Sequence, residues 1–316
     1  MSFRSLGLGL LIAAGVVFPG CKPICPETSM SREDLVATYN QNAAKVPRLW
    51  SRARMSASFT SNGRRINWGW AALSPNALLI MHKNESGGPH DLVLIGQEAG
   101  SEIFRLGSST VDDVYYFWYN FADYSGGSFG RNDFAGAPGV RDLPFDPHQL
   151  AEVLAITMLP ADFTDIPAVI LTLNDRQMSD DCSYVLTYIN RQPVSRRIYA
   201  RREMLFNWQD GVPPRPYLIR FFDESGRRII EASLSDWRPI EVEDVDNPPA
   251  QPPIMPTEIR IEWPRQNSSI RLSLSEMTTA DRALPELFLF WERMPSAVRQ
   301  RIVPVDEELV RVEEAP

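Results

Sequence analysis

Arg54-Met-Ser-Ala-Ser-Phe-Thr60 and Arg65-Ile-Asn-Trp-Gly-Trp-Ala-Ala-Leu73 are two stretches in which apolar and polar residues alternate, and Ser61-Asn62-Gly63 lies between them. Alternation with a period of two is typical of a strand with one buried face. Asn-Gly favours a tight hairpin loop because both central residues of that loop need a positive φ. The two stretches therefore predict a β-hairpin.

The same period recurs on both sides of this hairpin. Further alternating segments, separated by turn residues, lie at 77–82, 91–96, 102–106, 111–119, 168–173, 183–190, 197–207, 217–223, 227–234, 258–263 and 270–276. Short strands at such regular spacing predict an antiparallel meander. Residues 114–118 are apolar at every position, so we expect both faces of that strand to be covered. The glycine- and proline-rich residues 123–145 are interpreted as an irregular break between two runs of strands.

Two helices are predicted beside the strands. Ser31 precedes apolar residues at helical spacing and has an acid three positions later, which predicts an amphipathic helix over 32–46. Asp146, Pro147 and Gln149 have the pattern of a helix start, and a short helix with an apolar stripe follows until Pro160.

The amino terminus has the pattern of an export signal. Residues 1–17 carry one basic residue, Arg4, and an apolar run that is too short to span a bilayer. Phe18-Pro19-Gly20-Cys21 resembles the lipobox of bacterial lipoproteins, and this resemblance implies cleavage before Cys21 and acylation of its sulfur. Lys22 after the cysteine implies sorting to the outer membrane, on its periplasmic face. The alternative is an ordinary signal peptide in which Cys21 is an unmodified thiol.

Charge restricts the partners. The 316 residues include 32 Lys and Arg against 40 Asp and Glu, a net charge of −8. Nucleic-acid binding requires a basic surface that releases counterions, so the composition argues against a nucleic-acid partner. The same acidic excess argues against a broad electrostatic grip on anionic lipid, which leaves the acylated Cys21 to hold the membrane.

The order of these segments resembles the LolA/LolB-like superfamily of bacterial envelope proteins. The resemblance implies an α+β, mainly β fold. A strongly curved antiparallel sheet of about 11 to 13 strands forms an unclosed half-barrel, with the N-terminal helix and a short lid helix on its concave side. It divides the chain into a signal peptide (1–20), a tether (21–30), the half-barrel domain (31–295) and a frayed acidic tail (296–316). It also implies a lipid or a lipoprotein acyl chain as ligand.

An apolar concavity would be lined by large side chains of the strands and of the lid helix. The candidates are Trp68, Trp70, Tyr116, Trp118, Leu150 and Leu154. For each of them simple core packing is the favoured alternative, since any sheet core contains large side chains at alternate positions. If helices fill the half-barrel completely, the protein is instead a structural or interaction lipoprotein that binds a protein partner.

Two cysteines remain after Cys21. A bridge between Cys25 and Cys182 would join the tether to the domain in an oxidising compartment. The alternative is two unpaired thiols or an intermolecular bridge.

The sequence contains no convincing catalytic or cofactor motif. Gly126-Gly-Ser-Phe-Gly130 matches the nucleophile motif G-x-S-x-G, but no helix is predicted after it, as that motif requires. The three histidines have no zinc-site spacing. Five arginines around one predicted hairpin (Arg191, Arg196, Arg197, Arg201 and Arg202) are interpreted as a solvated rim, and the alternative is a small basic patch that meets lipid head groups or an acidic partner. We therefore predict a binding protein without metal or cofactor, rather than an enzyme.

Overall fold

The structure, a computed structural model, describes residues 30–307 except 62, 70–73, 85–87, 122–123, 136–139, 141–142, 164–167, 175–181, 192–197, 210–211, 244–250, 283–284 and 293. The α-helices are α1 (Arg32–Ala44), α2 (Pro147–Val153) and α3 (Ser296–Arg299). The strands are β1 (Arg48–Ser61), β2 (Arg64–Trp68), β3 (Ala77–His82), β4 (Asp91–Glu98), β5 (Ser101–Ser109), β6 (Val114–Phe121), β7 (Tyr124–Arg131), β8 (Ala168–Asn174), β9 (Ser183–Arg191), β10 (Ile198–Gln209), β11 (Val212–Phe222), β12 (Arg228–Pro239), β13 (Ile254–Trp263), β14 (Ser268–Thr278) and β15 (Ile302–Pro304). Within these residues, no helix is both long and apolar enough to cross a membrane.

All fifteen strands belong to one sheet. Its order is β15-β7-β6-β5-β4-β3-β1-β14-β13-β12-β11-β10-β9-β8, with β2 paired to β1 outside this path. Neighbouring strands are antiparallel except for β15 and β7, which are parallel. The end strands β15 and β8 do not pair with each other, so the curved sheet is unclosed. The predicted half-barrel fold is confirmed, with two strands more than the upper end of the predicted range.

One additional strand is β7, which lies in the stretch predicted to be irregular. Three of its residues are glycines, and aromatic side chains of β6 lie across them. A Cβ atom at Gly127 would lie 2.7 Å from Cβ of Trp118, and one at Gly130 would lie 2.8 Å from the Tyr115 ring. The glycines are needed for this close packing, and their presence made a strand look like a loop in the sequence.

The other additional strand is β15, which lies in the predicted acidic tail. Residues 296–304 form α3 and β15, and β15 pairs with residues 127–129 of β7. Val298 is fully buried against the sheet, and Asp306 accepts a hydrogen bond from the backbone N–H of Arg131 at 2.7 Å. Long-range packing therefore orders a segment whose local composition is typical of a frayed end.

The two faces of the sheet have different coverings. We call the face that carries α1 and α2 the inner face, and the opposite face the outer face. Along β6, Tyr115, Phe117 and Tyr119 belong to the main core on the inner face. Tyr116 and Trp118 point to the outer face and are buried under residues of the C-terminal segment 285–306. Both faces of this strand are thus covered, as its continuous apolar run indicates.

The outer face of strands β10–β12 is charged and faces solvent. Arg220 lies between two acids on neighbouring strands, 3.2 Å from Glu203 and 2.8 Å from Glu231. The C-terminal segment covers only the apolar half of the outer face, around β3–β7.

The inner face is filled mainly by the two helices and the segment that follows α2. Ser31 caps α1 by accepting a hydrogen bond from the backbone N–H of Asp34 at 3.0 Å, as predicted. Asn40 of α1 is buried and forms two hydrogen bonds to the backbone of Leu159, at 2.8 and 2.9 Å. These bonds fix α1 to the chain beyond α2, so the helices form one packed layer over the sheet.

Candidate functional site

One cavity lies between α2, the segment before it and strands β10–β13 of the inner face. Its volume is about 580 Å³. We call it the α2 cavity. It is lined by Tyr115, Ala135, Val140, Leu143, Asp146, Gln149, Glu152, Tyr199, Arg201, Phe221, Phe222, Asp223, Glu224, Ser225, Ile229, Trp263, Arg265 and Gln266.

Helix α2 supplies the polar wall of this cavity. Asp146 caps the helix, since its Oδ1 accepts hydrogen bonds from the backbone N–H groups of His148 and Gln149 at 2.9 and 3.3 Å. Asp146, Gln149 and Glu152 follow one another at intervals of three residues, which places them on one side of the helix. Leu150 is fully buried on the other side. The amphipathic pattern of α2 therefore turns its polar side towards the cavity.

The opposite wall belongs to the sheet and is apolar in its centre, while charged and polar residues of the strand ends and turns, among them Arg201, Asp223 and Arg265, also line it. Trp263 at the end of β13 is buried, and its indole Nε1–H donates to Gln149 Oε1 at 3.0 Å. Phe145 packs edge-on against the Trp263 ring, with the ring centroids 5.2 Å apart. Phe221 and Ile229 continue this wall along β11 and β12. The cavity thus has an apolar floor and a polar side.

A partly buried ion pair includes Glu152 of the polar wall. Arg202 Nη1 is 2.9 Å from Glu152 Oε2, and the guanidinium lies 4.5 Å from the centre of the Tyr188 ring. Burial raises the pKa of the Tyr188 hydroxyl to about 12, and it also raises the pKa of Tyr39 nearby. These tyrosines are therefore neutral hydrogen-bonding groups at physiological pH.

Arg202 was predicted to belong to a solvated rim, and this prediction is wrong. A register shift between Ala200 and Arg202 in the pairing of β10 with β9 places Arg202 on the inner face. A count of alternate positions cannot detect such a bulge, because one extra residue reverses every side chain after it. Arg201 remains exposed at the rim of the cavity.

The carboxyl group of Asp146 is electrostatically perturbed. Burial in the cavity wall raises its pKa, and the neighbouring His148 and the two backbone N–H groups oppose that shift. A partly buried carboxyl group at the edge of an apolar cavity can accept a hydrogen bond from a polar ligand group.

The sequence-predicted lining residues lie elsewhere in the fold. Trp68 stacks on Phe104 with the ring centroids 6.2 Å apart, and Leu150 and Leu154 are fully buried under α2. Tyr116 and Trp118 face the outer side of the sheet, and Trp70 lies outside the described residues. None of the five described candidates lines the α2 cavity.

The residues that do line the cavity were missed because they are distant in sequence. Tyr115, Phe221 and Trp263 come from three strands that only the curvature of the sheet brings together. The one local signal for the cavity was the interval of three residues between Asp146, Gln149 and Glu152, which places these polar side chains on one side of α2. Groups of His, Cys, Asp or Glu arranged to hold a metal ion do not occur among the described residues.

The anchoring residues are only partly described. Cys21 and Cys25 lie outside the described residues, whereas Cys182 is disulfide-bonded. Met30, where the described chain begins, donates its backbone N–H to the Tyr184 hydroxyl at 2.8 Å. The start of the domain is therefore held next to the strand that follows Cys182.

Comparisons with known proteins find a likeness in fold. No protein-family model matches the chain, and no curated protein matches it. A DUF1329 family protein from Desulfovibrio piger is 12% identical with a TM-score of 0.46, covering 83% of this chain and 97% of that one. A LolA superfamily protein from Nitrosomonas europaea is 12% identical with a TM-score of 0.41, covering 81% and 97%. An outer membrane lipoprotein-sorting protein domain from Vibrio parahaemolyticus is 8% identical with a TM-score of 0.38, covering 80% and 95%. These three solved structures, all with TM-scores below 0.5, are what the chain is similar to.

Proposed function

We propose that this protein binds one amphiphilic molecule, a lipid or the acyl chain of a lipoprotein, in the α2 cavity. The observation that carries this proposal is the cavity itself, about 580 Å³ between the helix and the sheet. That volume lies within the range of about 300–1,000 Å³ that is usual for small-molecule sites. Its apolar floor suits hydrocarbon, and its polar side suits a head group.

The rest of the inner face limits the size of the ligand. Side chains of α1 and α2 fill it, and Leu35, Val36 and Leu154 are almost completely buried. A single chain is therefore the largest hydrocarbon that we expect the cavity to hold. Each buried CH₂ group contributes about 0.8 kcal/mol before ordering costs, so a chain of about 14 carbons would bind reversibly.

We further propose that acylated Cys21 anchors the protein in a bacterial membrane, with the outer membrane favoured and the domain on its periplasmic side. The lipobox-like sequence supports the anchor, and Cys182 in a disulfide supports an oxidising compartment. Cys25 is the proposed partner of Cys182, because Met30 lies beside Tyr184 and only four residues separate Met30 from Cys25. The role is binding rather than catalysis.

Native mass spectrometry of the full chain, extracted from membranes in a neutral detergent, tests the binding proposal. We expect a lipid mass in addition to any covalent acyl group, and rebinding of a lysophospholipid with one myristoyl chain after delipidation. Ile229→Trp and Val140→Phe fill the cavity from opposite walls and should abolish both. Val111→Trp, at a turn position that is 76% exposed, is the matched control and should change neither.

The alternative is that the outer surface binds a protein partner and the cavity holds nothing. It predicts no lipid mass in the wild-type protein and no effect of either cavity-filling substitution on added lysophospholipid. That result would refute the lipid-binding proposal.

A further inference from the structure

A second cavity, of about 430 Å³, opens on the inner face near the β15 end of the sheet. We call it the edge pocket. It is lined by Ser61, Phe117, Tyr119, Ser125, Gly126, Gly127, Ser128, Pro144, Arg301 and Val303. The end of β1, strands β6 and β7, and the chain between α3 and β15 therefore meet around it.

The polar groups of the edge pocket are mostly hydrogen-bond donors. Three hydroxyl groups of inner-face side chains line it, and two of them, on Ser61 and Tyr119, are 2.5 Å apart. The third, on Ser128, bonds to no other described residue, whereas the Ser125 hydroxyl points to the outer face and donates to the Ala297 carbonyl at 3.4 Å. The pocket therefore contains hydroxyl groups whose hydrogen-bonding capacity is largely unused by the protein.

Arg301 gives the edge pocket a positive charge. Its guanidinium forms no ion pair with any residue in the described part of the chain, and no acid occurs among the described residues that line the pocket. This composition is unusual in a chain with 40 acids and a net charge of −8. A second cation lies close by, since Arg64 donates a hydrogen bond to the hydroxyl of Tyr124, the residue before Ser125.

The sheet edge adds backbone groups to this wall. β15 pairs only with residues 127–129 of β7, so residues 124–126 have no strand partner on that side among the described residues. An unpaired strand edge presents free N–H groups, which are donors for an anion. Gly126 lacks a side chain, so an incoming group can approach the backbone there.

We propose that the edge pocket binds a phosphate group, through the Arg301 guanidinium and the hydroxyl groups around it. Guanidinium groups bind phosphate oxygens through paired, charge-assisted hydrogen bonds, and serine and tyrosine hydroxyls supply further donors. The apolar residues Phe117, Pro144 and Val303 leave room for a substituent on the phosphate. Both a soluble phosphate and a lipid head group carry this chemistry.

The edge pocket is separate from the α2 cavity. The two cavities share no lining residue, and the fully buried Phe145 lies in the chain between Pro144 of the edge pocket and Asp146 of the α2 cavity. Failure of one proposal therefore leaves the other testable by its own variants.

The test uses the purified full chain in a neutral detergent and follows the ³¹P signal of inorganic phosphate during titration. A second arm places the protein in phosphatidylcholine nanodiscs with and without phosphatidic acid and measures protection of the pocket residues from deuterium exchange. We expect Arg301→Gln to weaken binding about tenfold or more, the usual effect of losing a hydrogen bond to a charged group. Ser128→Ala should weaken it less.

Arg54→Gln is the matched control, because Arg54 is exposed on β1 and does not line the pocket. Binding in the first arm that Arg301→Gln removes and Arg54→Gln retains supports a site for soluble phosphate. The same pattern in the nanodisc arm alone supports a lipid head group. Equal behaviour of wild type and Arg301→Gln in both arms, including no binding by either, would overturn the proposal.

Discussion

Arg105 and Glu102 form an ion pair beneath the C-terminal segment, and the structure predicts that the two partners are not equally costly to remove. The Arg105 side chain is 0% exposed, whereas that of Glu102 is 22% exposed. The guanidinium is 3.1 Å from the Glu102 carboxylate, and its Nη1 donates to the carbonyl of Leu287 at 3.0 Å. The pair thus links β5 to residues that cover the outer face.

Glu102→Ala should be the more destabilising change, although it alters the more exposed residue. It leaves a guanidinium buried without a counter-charge, which lowers the free energy of unfolding by about 3–5 kcal/mol. Arg105→Met removes the buried charge and keeps an apolar side chain of similar length. The Glu102 carboxylate can then reach water, and the main loss is the unpaired Leu287 carbonyl, about 1–3 kcal/mol.

Urea unfolding followed by tryptophan fluorescence and circular dichroism measures both changes. The double variant should cost less than the sum of the two single variants, because removing Arg105 also removes the charge that Glu102 compensates. Arg52→Met, in an exposed pair with Glu276, is the control and should cost about 0–1 kcal/mol. If Arg105→Met proves more destabilising than Glu102→Ala, the reasoning from burial is wrong.

Three further predictions concern the core, the sheet and pH. Phe290→Ala should lower the free energy of unfolding by about 3–5 kcal/mol, because the ring is fully buried and its centroid lies 4.7 Å from that of the Tyr116 ring. The variant should also make the C-terminal segment sensitive to protease, and unchanged proteolysis would contradict this. Gly127→Val should prevent normal pairing of β7, since its Cβ would lie 2.7 Å from the Cβ of Trp118, and unchanged amide exchange in β7 would argue against this packing. Burial lowers the pKa of Lys83 to about 8 from 10.5, so at this residue the unfolded chain binds more protons between these values, and Lys83 alone should add about 2 kcal/mol to the stability from pH 8 to 10, against the opposite contribution of the buried tyrosines Tyr39, Tyr116 and Tyr188. Lys83→Met should remove that rise in urea midpoints measured at the two pH values, and an unchanged slope would show that another group causes it.

The local sequence pattern was sufficient to predict turns and helix caps, because the residues that determine them lie within a few positions of one another. The turn at Gly63, with a φ of +73°, joins β1 and β2 as the Asn-Gly dipeptide predicts. Ser31 and Asp146 cap α1 and α2 because a side-chain oxygen at that position satisfies nearby backbone N–H groups. The spacing of the strands predicts an antiparallel meander, and the resemblance to the LolA/LolB-like superfamily implies that the sheet stays unclosed.

The candidate sites required the tertiary structure. The alternation in β6 predicts that Tyr116 and Trp118 share a face, but not that the C-terminal segment rather than a ligand covers that face. The β-bulge between Ala200 and Arg202 shifts the alternation of inner and outer side chains along β10. No turn or glycine residue in the sequence indicates this bulge. The glycines of β7 have the composition of a loop, and only the β6 rings packed across them explain the strand.

Hydrophobic period, caps and turn residues predict most of the strands and the helices α1 and α2, because these signals act over short distances along the chain. Local signals predict neither the strands β7 and β15 nor which face of each strand is inner, where the sheet ends, and which distant residues meet around the α2 cavity and the edge pocket. These outcomes depend on contacts between residues far apart in the chain. The free energy of such contacts comes from the packing of whole surfaces, and no single segment of sequence contains it.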